Sequence, residues 1–269
     1  LYERDQLWKR TSVAPVRRLR ELESRRALVD RRDDLSLELC ALYNQIGQPA
    51  RALTILTTRQ FQPWEGGEGV ALGLHVRTHL ALGRAALQRG EIEAARDLFE
   101  SAARSPKNLG EARHLLANQS DVHFWLGEAC AAAGDLAAAR AHWTAAATFK
   151  GDFQEMAVRA FSDLTYYSAL SLERLGRRKP AHRLLRDLLA YARELARTPA
   201  KIDYFATSLP TMLVFEDDLQ KRQIVSARLM EAQALLGLGR LPEAKKLLRR
   251  VLVLDPNHPR AADLQASLT

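Results

Sequence analysis

The chain has 269 residues, 47% of them hydrophobic, with 40 Lys and Arg against 32 Asp and Glu for a formal net charge of +8. Leu and Ala outnumber the β-branched residues, a composition that favours helices and excludes a disordered chain. No apolar run reaches the roughly 18 residues of a membrane-spanning helix. The two cysteines, Cys40 and Cys130, are too few and too far apart for a disulfide framework. They fall at inward-facing positions and read as small hydrophobes of a reducing, cytoplasmic compartment.

Residues 1–32 form a basic helical segment, with ten Arg or Lys against five acids. Such a face can attract nucleic acid or anionic lipid. No aromatic residue interleaves the Arg run from Arg17 to Arg32 for base stacking, and no nucleic-acid motif is present. A solvated helical segment is therefore expected, and nucleic acid is not an expected partner. The chain opens at Leu1 without methionine or a signal-peptide pattern, and reads as part of a longer protein.

Five segments then share one pattern: QIGQPARAL, QRGEIEAARDLF, AAGDLAAARAHW, RLGRRKPAHRLL and GLGRLPEAKKLL. Each has a Gly (47, 90, 134, 176, 239) followed five residues later by Ala52, Ala95, Ala139, Ala181 or Ala244. Four residues further on stands a bulky side chain: Leu56, Phe99, Trp143, Leu185 or Leu248. Gly can end a helix in a left-handed conformation. The small Ala lets the next helix approach closely, and the bulky residue one turn on fills the groove between pairs. This pattern resembles the tetratricopeptide repeat. It implies an all-α, right-handed superhelical array of about five degenerate helical hairpins in one domain. The repeats fall at about 33–66, 76–109, 120–153, 162–195 and 225–258, with 259–269 as a capping helix.

The repeat glycines are 43, 44, 42 and 63 residues apart, against a period of about 34 for this class of repeat. Each junction therefore carries extra chain, and the junctions hold residues that repeat packing does not explain. The first, Phe61–Gly69, puts Trp64, Glu65 and Glu68 on a Gly-rich loop. The second runs through Asn108 and Glu111, spaced as a capping box. It continues to Arg113, His114, Asn118, Gln119 and His123, all expected on one long helix with Trp125. The third has Asp152 and Glu155 in another capping-box spacing. The fourth, around 201–218, carries Tyr204 with acids leading into a helix. Together with Arg84, these residues form a candidate surface for a partner or ligand.

The junction strings FQPWEGGEG, NLGEARHLLANQSDVHFWLG, GDFQEMA and IDYFATSLPTMLVFEDD resemble the C-terminal helical tail of large bacterial proteins. Those proteins carry an N-terminal β-rich domain of unknown function. The resemblance implies a tail whose first partner is the β-rich domain of its own chain, in a family linked to carbohydrate metabolism.

Sites for chemistry are few. His75 and His79 have the i,i+4 spacing of two metal ligands, but the Glu of the zinc-protease motif and a third ligand are missing. No phosphate loop or nucleophile elbow is present. No catalytic, metal or cofactor residue is therefore expected. The leading reading is a binding or scaffold module for a protein or peptide. The alternative is the helical wall of a carbohydrate site, with Trp64, Trp125 and Tyr204 stacking on sugar rings.

Overall fold

A computed structural model describes residues 1–64, 66–149, 151–154, 157–201 and 218–268. The repeat glycines explain its plan. All five take φ between +77° and +83°. The residue after each donates its amide to the carbonyl five positions back: Gln48 to Tyr43, Glu91 to Ala86, Asp135 to Cys130, Arg177 to Leu172 and Arg240 to Leu235, at 2.8–3.0 Å. This is the Schellman closure that ends one helix and turns the chain into the next.

Three short helices come first: α1 (Tyr2–Arg10), α2 (Pro15–Ser24) and α3 (Arg26–Val29). Then follow the pairs α4 (Asp33–Gln45) with α5 (Pro49–Thr58), α6 (Val70–Gln88) with α7 (Ile92–Ala103), and α8 (Ser120–Ala132) with α9 (Leu136–Thr148). After α10 (Thr165–Arg174) with α11 (Arg178–Leu195) and α12 (Leu219–Gly237) with α13 (Leu241–Leu254) comes α14 (Pro259–Ala266). Each helix packs on its neighbours in sequence, as a solenoid requires. The expected all-α repeat array is what the chain forms.

The Ala and bulky positions of all five repeats are buried. Two close approaches show how the pairs lock. A methyl on Gly83 would lie 2.3 Å from Cε1 of Phe99, and one on Gly127 would lie 2.4 Å from Nε1 of Trp143. Glycine on the first helix thus makes room for the ring on the second. Cys40 and Cys130 are both buried and unpaired, and burial pushes the Cys40 thiol up to about 12.

The structure departs from the sequence reading at three places. The N-terminal segment keeps most of its cations exposed, Arg18 excepted, but its other face is part of the fold. Leu19, Leu22 and Val29 join the core of the first pair, and Arg4 and Arg17 lie on the Trp8 ring at 5.0 Å. Arg18 is buried, forked onto Asp5 at 3.0 and 2.5 Å and bonded to Glu38 and Asn257 at 2.8 Å.

At the second junction, Arg113, His114, Asn118 and Gln119 do not lie on a long helix. Gly110, at φ +74°, ends a short 3-10 turn (Lys107–Leu109), and α8 begins only at Ser120. Asn108 and Glu111 each cap a helix other than their own. The Asn108 amide donates to Leu56 O and Arg59 O at the end of α5. The Glu111 carboxylate accepts from Gly69 N and Leu72 N, at 2.6 and 2.7 Å, at the start of α6.

At the third junction, Asp152 opens strand β1 (Asp152–Gln154), paired antiparallel with β2 (Ala157–Arg159), in place of a helix start. Its carboxylate accepts from Asn118 N at 3.2 Å. Gly151 permits the turn, since a methyl there would lie 2.4 Å from Arg159 O.

Candidate binding surface on the inner wall

The first helices of successive pairs line one wall, and α14 lies against it. Gln45 on α4 donates to Pro256 O and His258 O. Arg77 on α6 forks onto Asp263 of α14 at 2.8–3.2 Å. Arg260 of α14 reaches Asp121 on α8 at 3.1 Å, and also Asp163, which precedes α10. Ion pairs from α6, α8 and the residue before α10 thus hold α14, and the neutral amide of Gln45 holds the chain that leads into it. At the seam, Ser12 bonds Leu254 O and Asn257 joins Arg18, so the last repeat meets the N-terminal helices.

Arg84 lies two turns along α6 from Arg77 and shares its face. Its guanidinium carbon is 5.8 Å from the Trp125 ring centroid, within cation–π range. Trp125 stacks on Phe99 at 6.0 Å and meets Phe124 edge-on at 5.3 Å. Its indole Nε1 is enclosed and meets no acceptor among the described residues. Tyr167 completes the cluster. Burial raises its phenol, while Arg84 and Arg260 act to lower it and Asp121 and Asp263 add to the rise. Burial also opposes the Arg260 cation, but Asp163 and Asp121 outweigh it and hold the guanidinium firmly charged.

The expected site residues are distributed as follows. Arg84 and Trp125 come together on the inner wall. Trp64 lies elsewhere, flat on Gly67, where a methyl would come within 2.0 Å of the ring, and packs on the core of the first pair. Glu68 accepts from Gly66 N at 2.9 Å within the same loop.

Arg113 donates to Ala102 O at 2.8 Å, His114 Nδ1 accepts from Leu116 N, and Asn118 donates to Gly151 O. Gln119 stands at the N-cap of α8 without a side-chain cap bond. His123 faces His142 at 3.2 Å between Nδ1 atoms and stacks on Phe149; burial lowers both imidazoles. Glu65, Glu155 and Tyr204 lie outside the described residues. His75 and His79 are occupied by Ser101 O and His75 O at 2.8 Å, and burial brings His75 down to about 4. Among the described residues no group of three His, Cys, Asp or Glu could hold a metal.

Sequence reasoning missed Arg77, Asp121, Asp163, Arg260 and Asp263. Arg77 and Arg84 are seven residues apart on one helix, which was readable as a shared face. Their partners are not: Arg77 and Asp263 are separated by 186 positions.

A stack of antiparallel helix pairs, each turned by a left-handed Gly and locked by Ala against a bulky side chain, defines a helical-repeat solenoid. Family models described as tetratricopeptide repeat match residues 45–109, 80–153 and 225–268, more than half of the chain. The chain belongs to the tetratricopeptide-repeat family. It is also similar to a solved structure from Podosopora anserina, a kinesin light chain with nearly identical TPR-like repeats. The TM-score there is 0.34 at 16% identity, covering 81% of this chain and 92% of that one. Repeats of this family generally mediate protein–protein interaction or scaffolding, and are typically not catalytic. No described helix is long and apolar enough to cross a membrane.

Proposed function

We propose that this chain is a protein-binding scaffold module whose inner wall, around Arg84 and Trp125, receives a segment of a partner protein. The observation that carries the reading is the seating of α14. The first helices of two successive pairs, α6 and α8, already hold a helix through Arg77–Asp263 and Arg260–Asp121. Arg84 has no ion-pair partner among the described residues and lies beside an indole donor without an acceptor. A half-buried cation without a counter-charge suits a carboxylate from a partner. Trp64 and Trp125 sit in separate clusters with ring faces against protein, an arrangement that favours packing over a shared sugar platform.

A photo-cross-linking residue placed at position 84 tests the reading, with one at the exposed Arg140 on α9 as control. A discrete protein adduct is expected from position 84 only, suppressed by Trp125→Ala. Identical adducts from both positions would overturn it.

A further inference from the structure

The outward face of α11 carries the largest group of uncommitted cations among the described residues. Arg177, Arg178, Lys179, Arg183 and Arg186 are all exposed, and none makes an ion pair with a described residue. Of the basic groups on this stretch, His182 alone has a partner, Glu173 at 3.4 Å. The contrast with neighbouring arginines is direct: Arg174 forks onto Glu128 at 2.8 Å, and Arg193 reaches Glu231 at 3.0 Å. Arg178, Lys179, Pro180, His182, Arg183 and Arg186 line an open depression of about 590 Å³.

Nothing in the fold requires this arrangement. The repeat consumes Ala181, Leu185, Leu188 and Leu189, which are buried, and leaves the outward positions free to be any polar residue. Cations at the start of a helix also oppose its dipole. The equivalent helices α7 and α13 have Glu93 and Glu243 in their first turns. The α11 cluster therefore works against helix stability and against its own mutual repulsion, and an anionic partner would relieve both.

We propose that this outward face docks an acidic segment of a protein partner, with carboxylates meeting Arg178, Arg183 and Arg186. The inference is independent of the inner-wall reading. Arginine forks pair with carboxylates in a bidentate manner. Arg178, Arg183 and Arg186 lie five and three residues apart on the helix, so their steps along its axis average about 6 Å. Alternate side chains of an extended strand repeat at roughly 6.6 Å, so successive carboxylates of an acidic peptide keep step. The run of cations stops at Arg186, after about two and a half turns, where Asp187 follows and the next exposed arginine, Arg193, is paired with Glu231. A nucleic-acid backbone continues past such a limit and gains from stacking platforms, whereas no aromatic residue lines the depression.

The experiment measures anisotropy of the full chain with a labelled 12-residue peptide of alternating Glu and Ser, its Gln counterpart, and a 20-base-pair DNA duplex. The Glu peptide is expected to bind about tenfold more tightly than the Gln peptide and to weaken with salt. The pair Arg178→Glu with Lys179→Glu should abolish that preference while leaving Tm unchanged or raised, because acids suit the first turn. Arg183→Gln with Arg186→Gln should reduce it without touching the helix start. Equal affinity for the two peptides, or binding unaffected by both double variants, would overturn the proposal. So would duplex DNA binding more tightly than the Glu peptide and losing its affinity in the same variants.

Discussion

Arg18→Met keeps most of the buried aliphatic volume and removes the charge that holds Asp5, Glu38 and Asn257 together. The Arg18 and Asp5 side chains are 2% and 3% exposed, and Glu38 is 13% exposed. Removing one member of so enclosed a cluster leaves buried charge uncompensated, at about 3–5 kcal/mol. That is a large part of a total stability on the order of 5–15 kcal/mol. At about 2–4 °C per kcal/mol for a chain of this size, Tm should fall by roughly 10 °C.

The loss should also depend on pH. In the native protein burial pushes the Glu38 carboxyl up, but Lys9 and Arg18 outweigh it and bring it to about 2. Its stabilising contribution is therefore present above about 4.5 and disappears as pH falls toward 2. Burial raises Asp5 more than its Arg18 contacts lower it, so Asp5 binds its proton more readily in the fold than in the unfolded chain. Without Arg18 both carboxyls should bind protons more readily in the fold than they do in the wild type. The cost of the substitution is then largest at neutral pH and is relieved as pH falls. Urea denaturation at pH 7 and pH 4 measures this directly. The difference between wild type and variant should shrink at pH 4. A loss below about 1 kcal/mol, or one equal at both pH values, would refute the reasoning.

Two further outcomes follow from packing and capping. Gly127→Val should lower stability by about 1–3 kcal/mol, since the Trp143 ring occupies the space the side chain needs, and tryptophan fluorescence should report the displaced ring. Glu111→Ala should lower stability by about 1 kcal/mol and speed amide hydrogen exchange at Gly69 and Leu72, whose amides it accepts, with little change in α8.

The sequence displayed the repeat because its code is local. A Gly, an Ala five residues on and a bulky residue four beyond that all act within one hairpin, so Gly134, Ala139 and Trp143 could be read without knowing any distant partner. The junctions were misread for the opposite reason. Asn108 and Glu111 have the spacing of a capping box, and local pattern cannot reveal that their acceptors and donors are Leu56 O and Gly69 N. The same limit hid the pairing of Arg77 with Asp263. Arg84 and Trp125 were singled out individually, yet only folding two successive pairs side by side makes them neighbours. The outward basic face of α11 was present in the string RRKPAHRLLR, but the pattern drew only on its Ala181 and Leu185.

A solenoid of the usual kind is a zipper. Its terminal units have one neighbour each, so they loosen first and unfolding proceeds inward. Here Arg18 grips Asn257, Ser12 reaches Leu254 and Arg77 holds Asp263, which gives both terminal units a second neighbour. Fraying either end must break contacts at the other. An assembly with no loose end should melt as one cooperative unit, and a partner that binds any single pair would stabilise the first and last repeats alike.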